Sequence, residues 1–192
     1  MKERFEGNQD LLNNILWSDE ANFHIGGFVN HHNSHFWARE NPKNCVEKPS
    51  QKRKITVWCG MTADRIVGPV IFRDTVNGDR YLEMLENQVW PVVSSWQNHR
   101  RLIFMQDGAP PHYRTDVREW LDTHFPNRWL GRAGPMEWPA RSPDLTPCDF
   151  FLWGYTKEKV YSSNPKTLDE LELKVREVIG DIPRDLLVKS CD

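Results

Sequence analysis

The chain has 192 residues, of which 39% are hydrophobic and 11% aromatic, and its formal net charge is −2. This length and composition are typical of one globular domain and exclude an intrinsically disordered chain. The longest apolar runs have the length of strands, which excludes a membrane-spanning helix, and the charge is not that of a strongly basic nucleic-acid-binding protein.

Two further features concern the cellular setting. The first residues, MKERFEGNQD, lack the apolar stretch of a signal peptide, which favours an intracellular protein. The four cysteines are widely separated and form no Cys-x-x-Cys pair. We therefore expect free thiols rather than a zinc site or a disulfide framework.

The segment ILWSDEANFHI, which begins at Ile15, alternates with the period of a β-strand. Asp19 falls on the face that also carries Trp17 and Phe23, whereas its neighbour Glu20 points to the opposite face. A carboxylate on a buried face is costly unless it is paired or binds a metal ion. Of the two acids, Asp19 is therefore the candidate functional residue.

Further extended segments follow along the chain. We expect a second strand over 28–40 and a third from Lys54, followed by another extended segment after a tight turn at 63–65. The apolar run RLIFMQD (101–107) stops at an acid, as a central strand covered on both faces would. A short final strand is predicted over 135–139.

Helical spacing and capping residues predict four helices. The first lies within 78–93, and Pro91 is expected to mark its end. Thr115 is the expected N-cap of the second helix, Thr146 that of the third, and Thr167–Glu170 a capping box at the start of the fourth. Together these elements indicate an α/β fold with helices on both sides of a mixed sheet.

Three aspartates, Asp19, Asp107 and Asp149, lie where the ends of elements could converge. Three carboxylates from three elements suit two hard cations such as Mg²⁺, and two such ions can promote phosphoryl transfer. Each acid has a structural alternative. Asp19 could be a salt-bridged core acid, Asp107 could form a turn with Gly108, and Asp149 could cap a helix. Asp144 is explained by a proline-rich turn without any metal.

Other polar clusters are less specific. His31 and His35 share a strand face, but no partner cluster accompanies them, so a polar strand or loop is favoured over a metal site. His112, in the loop after the predicted central strand, could contact metal, DNA or only the backbone. Basic clusters at 48–54 and 99–101 could touch phosphates, although solvated surface segments explain them as well.

Three stretches, ILWSDEANF, FMQDGAPPH and WPARSPDLTPCDFFLWG, resemble in order the catalytic motifs of the Tc1/mariner family of DNA transposases. The resemblance runs from about Ile15 to about Tyr161. It implies a ribonuclease H-like fold, with a mixed five-stranded sheet of three antiparallel and two parallel strands flanked by helices. It also implies that the metal-binding catalytic acids are Asp19, Asp107 and Asp149, a DDD variant of the DDE motif.

The resemblance further implies a reaction and its partners. The reaction is metal-dependent hydrolysis of DNA phosphodiesters at transposon ends, followed by strand transfer into target DNA, with two Mg²⁺ or Mn²⁺ ions as cofactors. The partners are the inverted-repeat ends, the target DNA and, in the full-length form, a second copy of the protein. The implied localisation is the nucleus. Candidate DNA contacts are Lys52, Arg53, Lys54, His112 and Arg141.

Two features depart from the family pattern. The spacing between the second and third acids is longer than in the best-known branches, and we expect the excess over 127–135. Family members also carry an N-terminal pair of helix-turn-helix modules, for which this chain leaves no room. We therefore expect one catalytic domain over 1–192 with its core at about 12–180. The alternatives are a truncated or domesticated non-catalytic module that binds nucleic acid or protein, and a ribonuclease H-type nuclease.

Overall fold

A computed structural model describes residues 12–26, 54–136 and 146–191. Their strands form one mixed sheet in the order β3-β2-β1-β4-β5. Neighbours among the first three strands are antiparallel, whereas β4 runs parallel to β1 and β5 parallel to β4. This confirms the predicted five-stranded sheet. The strands are β1 (Ile15–His24), β2 (Lys54–Met61), β3 (Ile66–Phe72), β4 (Ile103–Met105) and β5 (Trp129–Leu130).

Helices cover both faces of the sheet. The first three pack with one buried apolar cluster and the last three with another, on opposite sides. No helix in the described part of the chain is long and apolar enough to cross a bilayer. The helices are α1 (Gly78–Met84), α2 (Trp90–Ser94), α3 (Thr115–His124), α4 (Trp153–Ser162), α5 (Leu168–Gly180) and α6 (Arg184–Cys191).

The alternation within β1 explains why both faces need cover. Ile15 and Phe23 are fully buried in the cluster on the α4–α6 side, and Leu16 is fully buried in the cluster on the α1–α3 side. A strand with large apolar residues on both faces is stable only between two layers. The first predicted strand is therefore confirmed, and it lies in the middle of the sheet.

The fifth strand is Trp129–Leu130 rather than the predicted 135–139. The backbone N–H of Gln106 donates to the Leu130 carbonyl at 3.0 Å, and both strand residues are buried. This short apolar pair thus forms hydrogen bonds along the open edge of β4, although it lies within 127–135, where extra residues relative to the family were expected. Within the predicted segment only 135–136 are described, and Met136 forms no more than an isolated bridge with Leu130.

The prediction that Pro91 ends the first helix is wrong. After α1 the chain continues through a π-helical turn at Leu85–Val89 and resumes as α2, with the proline at the start of this new segment. Proline is tolerated in a first helical turn because its missing N–H would have no partner there. The wider π turn supplies that start inside a continuous helical stretch.

Thr115 begins α3 but does not cap it, which corrects a second prediction. The N-cap position is occupied by Arg114, whose side chain forms no capping hydrogen bond. Asp116 takes over this function in part, because its carboxylate accepts the backbone N–H of Val117 at 2.9 Å. An acid in the first turn also suits the positive end of the helix dipole.

Other local predictions are confirmed. The backbone N–H of Glu170 donates to the Thr167 hydroxyl at 3.1 Å, as expected at the start of α5. The tight turn at 63–65 is closed by the N–H of Thr62, which donates to the Arg65 carbonyl at 2.9 Å. The strand predicted over 28–40 lies outside the described residues.

Candidate active site

Two of the three predicted acids follow from the pairing of parallel strands. In the β1–β4 ladder Trp17 lies opposite Met105, and the Ser18 hydroxyl donates to the Met105 carbonyl at 2.5 Å. Two residues further along both chains are Asp19 and Asp107. The ladder therefore brings the chain segments that carry these two acids to the same end of the sheet, at the carboxyl end of β4, where ligands of open α/β sheets gather.

Asp19 lies in a largely buried position. Its Oδ2 accepts a hydrogen bond from Nε1 of Trp153 at 2.7 Å. Burial raises the pKa of Asp19 to about 7, against the effect of this hydrogen bond, and the negative charge of Asp149 adds to the rise. Asp19 and Asp149 therefore share a region of uncompensated negative charge.

Asp149 lies in the π-helical turn that leads into α4. The Thr146 hydroxyl donates to its Oδ2 at 2.5 Å, and the Asp149 N–H donates back to that hydroxyl at 3.3 Å. Residues at intervals of four from Asp149, namely Trp153 and Lys157, share its helix face. Trp153 bonds to Asp19, and Lys157 interacts electrostatically with Asp19 and Asp149. Thr146 thus accepts the capping hydrogen bond and orients Asp149, which also lies beside Asp19.

Asp107 is held by a buried histidine. His112 is 3% exposed, with its Nδ1 2.5 Å from Asp107 Oδ1 and its Nε2 3.0 Å from Glu20 Oε1. Burial alone would lower the pKa of His112, but the hydrogen bonds to the two carboxylates outweigh it and raise the pKa to about 10. The imidazole is therefore protonated at neutral pH. Burial is the largest single influence and works to raise the pKa of Asp107, but the hydrogen bond from His112, the charge of His112 and the Ala109 N–H together outweigh it and lower the pKa.

A buried network supports this loop from below. The Tyr81 ring lies 4.1 Å from the His112 ring, and its hydroxyl donates to Gln106 Oε1 at 3.0 Å. Nε2 of Gln106 donates in turn to the His112 carbonyl at 3.0 Å. The Ala109 N–H donates to Asp107 Oδ1 at 2.9 Å, so Asp107 also forms the turn that its Asp-Gly sequence predicts.

The acids thus form two halves, which we call the Asp19–Asp149 half and the Asp107–His112 half. The second half includes Glu20. In the described part of the chain, no three carboxylate, imidazole or thiol groups converge closely enough to hold a metal ion as they stand. The parallel register brings the halves to one edge of the sheet without joining all three acids into a ready cage.

Comparison with known proteins places this geometry in a family. A profile of the DDE superfamily endonucleases matches residues 14–172. The chain is 30% identical to the Tcb1 transposase of Caenorhabditis briggsae over 145 residues. These residues make up 73% of this chain and 49% of that protein. The chain belongs to the Tc1/mariner family of DDE transposases. It spans about half the length of the curated relatives it matches.

Solved transposase structures share the fold. The pre-cleavage Mos1 transpososome superposes with a TM-score of 0.71 at 18% identity, over 98% of this chain and 54% of that one. The Mos1 catalytic domain with raltegravir and Mn gives a TM-score of 0.69 at 18% identity, over 99% of this chain and 80% of that one. The ribonuclease H-like fold of this transposase domain is therefore shown.

Two of the candidate DNA contacts of this transposase domain are described. Lys54 pairs with His24 at the far end of the β1–β2 ladder, roughly 17 Å along the strand from Asp19. His112 is buried, with both ring nitrogens bonded to carboxylates, so its placement favours a positioning role over the predicted DNA contact. The predicted residues outside the described part of the chain are Lys52, Arg53, Arg141, Asp144, His31 and His35.

Some site residues were missed by sequence reasoning. Alternation correctly put Glu20 on the face of β1 opposite Asp19, but its partner His112 is 92 residues away and left no local signal. Trp153 and Lys157 do carry a signal, because their four-residue spacing from Asp149 places them on one side of a predicted helix.

Proposed function

We propose that this transposase domain hydrolyses DNA phosphodiesters at transposon ends with divalent metal ions and then transfers the freed 3′-hydroxyl end into target DNA. One observation carries the proposal. Asp19 and Asp107 each lie two residues beyond the paired residues Trp17 and Met105 of parallel strands, and the helix of Asp149 is tethered beside Asp19 by Trp153. These are the acids of the three family motifs.

The residues fit hard divalent cations. All three candidate ligands are carboxylates, the donors that Mg²⁺ and Mn²⁺ prefer. The raised pKa of Asp19, caused first by burial and then by repulsion from Asp149, indicates negative charge that a cation would neutralise. Solved Mos1 catalytic domains with Mn and with Mg support the same choice. When bound, two such ions would activate the attacking oxygen and stabilise the leaving oxygen.

The protein's own groups orient the carboxylates. Each acid has one oxygen held by a hydrogen bond from a neighbouring side chain: Trp153 on Asp19, Thr146 on Asp149 and His112 on Asp107. In Asp107 and Asp149 the other oxygen accepts no hydrogen bond from the described residues. Such bonds fix the rotamer of a metal ligand and leave the second oxygen available to a cation.

We assign His112 and Glu20 a positioning role. The protonated imidazole bridges the two carboxylates, so it links the end of β4 to the middle of β1. This bridge keeps Asp107 deprotonated and limits its rotation. Glu20 then acts through His112 and does not itself contact the reacting groups.

The attacking group in this proposal is first water and then the DNA 3′-hydroxyl, with no covalent enzyme intermediate. The two thiols that interact with Asp19, Cys59 and Cys148, are fully buried. Burial, together with the charge of Asp19, raises the pKa of each thiol above its ordinary value. A neutral, enclosed thiol is a poor nucleophile, so these cysteines do not offer a competing covalent route.

The proposed partners are transposon-end DNA, target DNA and a second copy of the chain. Joining two cut ends to one target requires two active sites, which favours a homodimer. The proposed location is the nucleus. The similarity to the pre-cleavage Mos1 transpososome supports DNA as a partner.

A nicking assay on supercoiled plasmid DNA tests the proposal. The chain, Asp149→Asn and the control Asp185→Asn are compared with Mn²⁺, with Mg²⁺ and with EDTA. Asp185 is an exposed acid on α6, with a side-chain exposure of 67%, so its variant matches the charge change away from the site. We expect nicking by the parent and control only with metal, and none by Asp149→Asn. Calorimetric titration with Mn²⁺ measures the same ligand set without relying on activity.

The result also separates the alternatives. A chain that is folded by circular dichroism yet neither nicks DNA nor binds Mn²⁺ contradicts the enzyme proposal and favours a non-catalytic binding or interaction module. Preferential cleavage of an RNA–DNA hybrid over duplex DNA would instead favour a ribonuclease H-type nuclease.

A further inference from the structure

A group of one aromatic and two cationic side chains lies next to the Asp107–His112 half. Tyr113 directly follows His112, and its N–H donates to the carbonyls of Ala109 and Pro110 at 3.2 and 3.3 Å. The guanidinium carbons of Arg118 and Arg132 lie 4.9 and 4.4 Å from the centroid of the Tyr113 ring. We call Tyr113, Arg118 and Arg132 the Tyr113 platform.

The platform is fixed to the loop that carries Asp107. Arg118 comes from α3, and its Nε donates to the Tyr113 carbonyl at 3.2 Å. Arg132 packs over Gly108, because a Cβ added to that glycine would lie 3.6 Å from Arg132 Cβ. The two cations therefore come from α3 and from the segment after β5, and they contact the residues that directly follow His112 and Asp107.

These two arginines lack an acidic partner. Within 12–26, 54–136 and 146–191, neither Arg118 nor Arg132 forms an ion pair, whereas Arg114 pairs with both Asp79 and Asp116. Two like charges against one ring repel each other unless an anion joins them. Because Arg114 takes the nearby Asp116, the free side of the platform is suited to an anion from outside the chain.

The chemistry favours a phosphate over a stacked base. The ring of Tyr113 already carries two guanidinium groups over it, which leaves its face poorly available for base stacking. Guanidinium groups form paired hydrogen bonds to phosphate oxygens, and such contacts position a nucleic acid without reading its sequence. Tyr113 as a residue is 38% exposed, so this surface is open to a large partner.

We propose that the Tyr113 platform binds a backbone phosphate of the DNA strand next to the scissile phosphodiester. The proposal rests on the proposed function for its substrate, because the acids fix where the scissile group lies. A strand gripped beside Asp107 is thereby aligned across both halves of the site.

The test measures DNA binding without chemistry. A short fluorescein-labelled duplex is titrated with the chain in EDTA at several salt concentrations, and fluorescence anisotropy reports the affinity. The test variant is Arg118→Gln/Arg132→Gln. The control is Arg176→Gln/Arg184→Gln, which removes two exposed charges from α5 and α6, on the opposite face of the sheet from α3.

We expect the test variant to bind about 10-fold more weakly and to lose roughly one to two units from the slope of log affinity against log salt. The control should change neither quantity appreciably. Arg118→Lys/Arg132→Lys keeps the charge and should retain most of the slope, which separates phosphate binding from a folding defect. Thermal unfolding by circular dichroism checks that every variant is folded.

Equal losses in test and control variants would overturn the proposal, as would an unchanged affinity of the test variant or no measurable DNA binding by the parent at low salt. Since EDTA removes the metal, failure of nicking leaves this result intact. The platform and the proposed reaction can therefore fail separately.

Discussion

The two halves of the site balance the negative charge of their carboxylates in opposite ways. In the Asp107–His112 half, a protonated imidazole lies between two carboxylates and compensates their charge. In the Asp19–Asp149 half, hydrogen bonds from Trp153 and Thr146 are the close contacts, and no cation forms an ion pair with either acid among the described residues. Lys157 acts on them only at longer range. The carboxylates of the first half thus have a cationic partner in contact, whereas those of the second half have none among the described residues.

The largest expected effect comes from removing a charge from the uncompensated half. Asp19→Asn keeps an acceptor for Trp153 but loses a proposed metal ligand, so the proposed reaction requires that nicking fall by at least about 10³-fold. Rates on supercoiled plasmid with saturating Mn²⁺ measure this. Nicking within a few-fold of the parent would show that Asp19 is not required for the chemistry.

The same substitution should stabilise the metal-free protein at high pH. The pKa of Asp19 is about 7 in the folded state, chiefly because of burial, and 3.8 is the ordinary value. Between these values the folded state retains a proton that the unfolded state loses, so stability falls as pH rises through this window. Above pH 7 the full cost is present, and Asp19→Asn should be more stable by roughly 2–4 kcal/mol.

Urea unfolding of parent and variant in EDTA at acid and alkaline pH measures this difference. The gain should vanish below the ordinary pKa of an aspartate, and added Mg²⁺ should reduce it at alkaline pH by stabilising the parent. A gain that is the same at both ends of the pH range would contradict a titration of Asp19.

A smaller effect is expected from the compensated half. His112→Gln removes the bridge between Asp107 and Glu20, and loss of such an orienting partner lowers activity by about 10–100-fold. The rate at saturating Mn²⁺ is the measurement. The control is His124→Gln, since His124 bonds to the Trp120 carbonyl on α3 and takes no part in the bridge. Equal rates for both variants would contradict the positioning role proposed for His112.

The smallest effect is expected at Thr146, which is compared with Thr167, a helix cap of the same chemistry. Thr146→Val and Thr167→Val each remove a hydroxyl that accepts a backbone N–H at a helix start, so each should destabilise the fold by about 1 kcal/mol. Only Thr146 also bonds to the carboxylate of a candidate ligand. Weaker Mn²⁺ binding is therefore expected for Thr146→Val alone, by calorimetric titration. A parallel loss in both variants would mean that the cap acts only through stability.

Local pattern carried much of the fold. The alternation of β1 gave its boundaries and placed Asp19 and Glu20 on opposite faces, because side-chain direction in a strand depends only on the backbone period. The caps at Thr146 and Thr167 followed from the same kind of short-range chemistry. The assignment of Asp149 over Asp144 needed the family motifs, since local chemistry explains both residues equally well.

What the sequence did not reveal depends on distant partners. Trp129–Leu130 becomes a strand because β4 has an open edge that needs hydrogen bonds, and this edge is visible only in the assembled sheet. Pro91 was misjudged because a π turn upstream gives it a new first turn. The contact between Glu20 and His112 likewise depends on the packing of β1 against a loop far along the chain.

The matched positions of Asp19 and Asp107 predict which length changes the domain tolerates. Backbone hydrogen bonds between β1 and β4 align Trp17 with Met105, two residues before the two acids, and the long connection between these strands does not set this alignment. Insertions on the surface of that connection add little loop-closure entropy and should leave the pair aligned. A single residue inserted within β4 would shift its register against β1 and displace the second acid. We therefore expect changes in chain length to be tolerated over most of the β1–β4 connection and to abolish activity within β4.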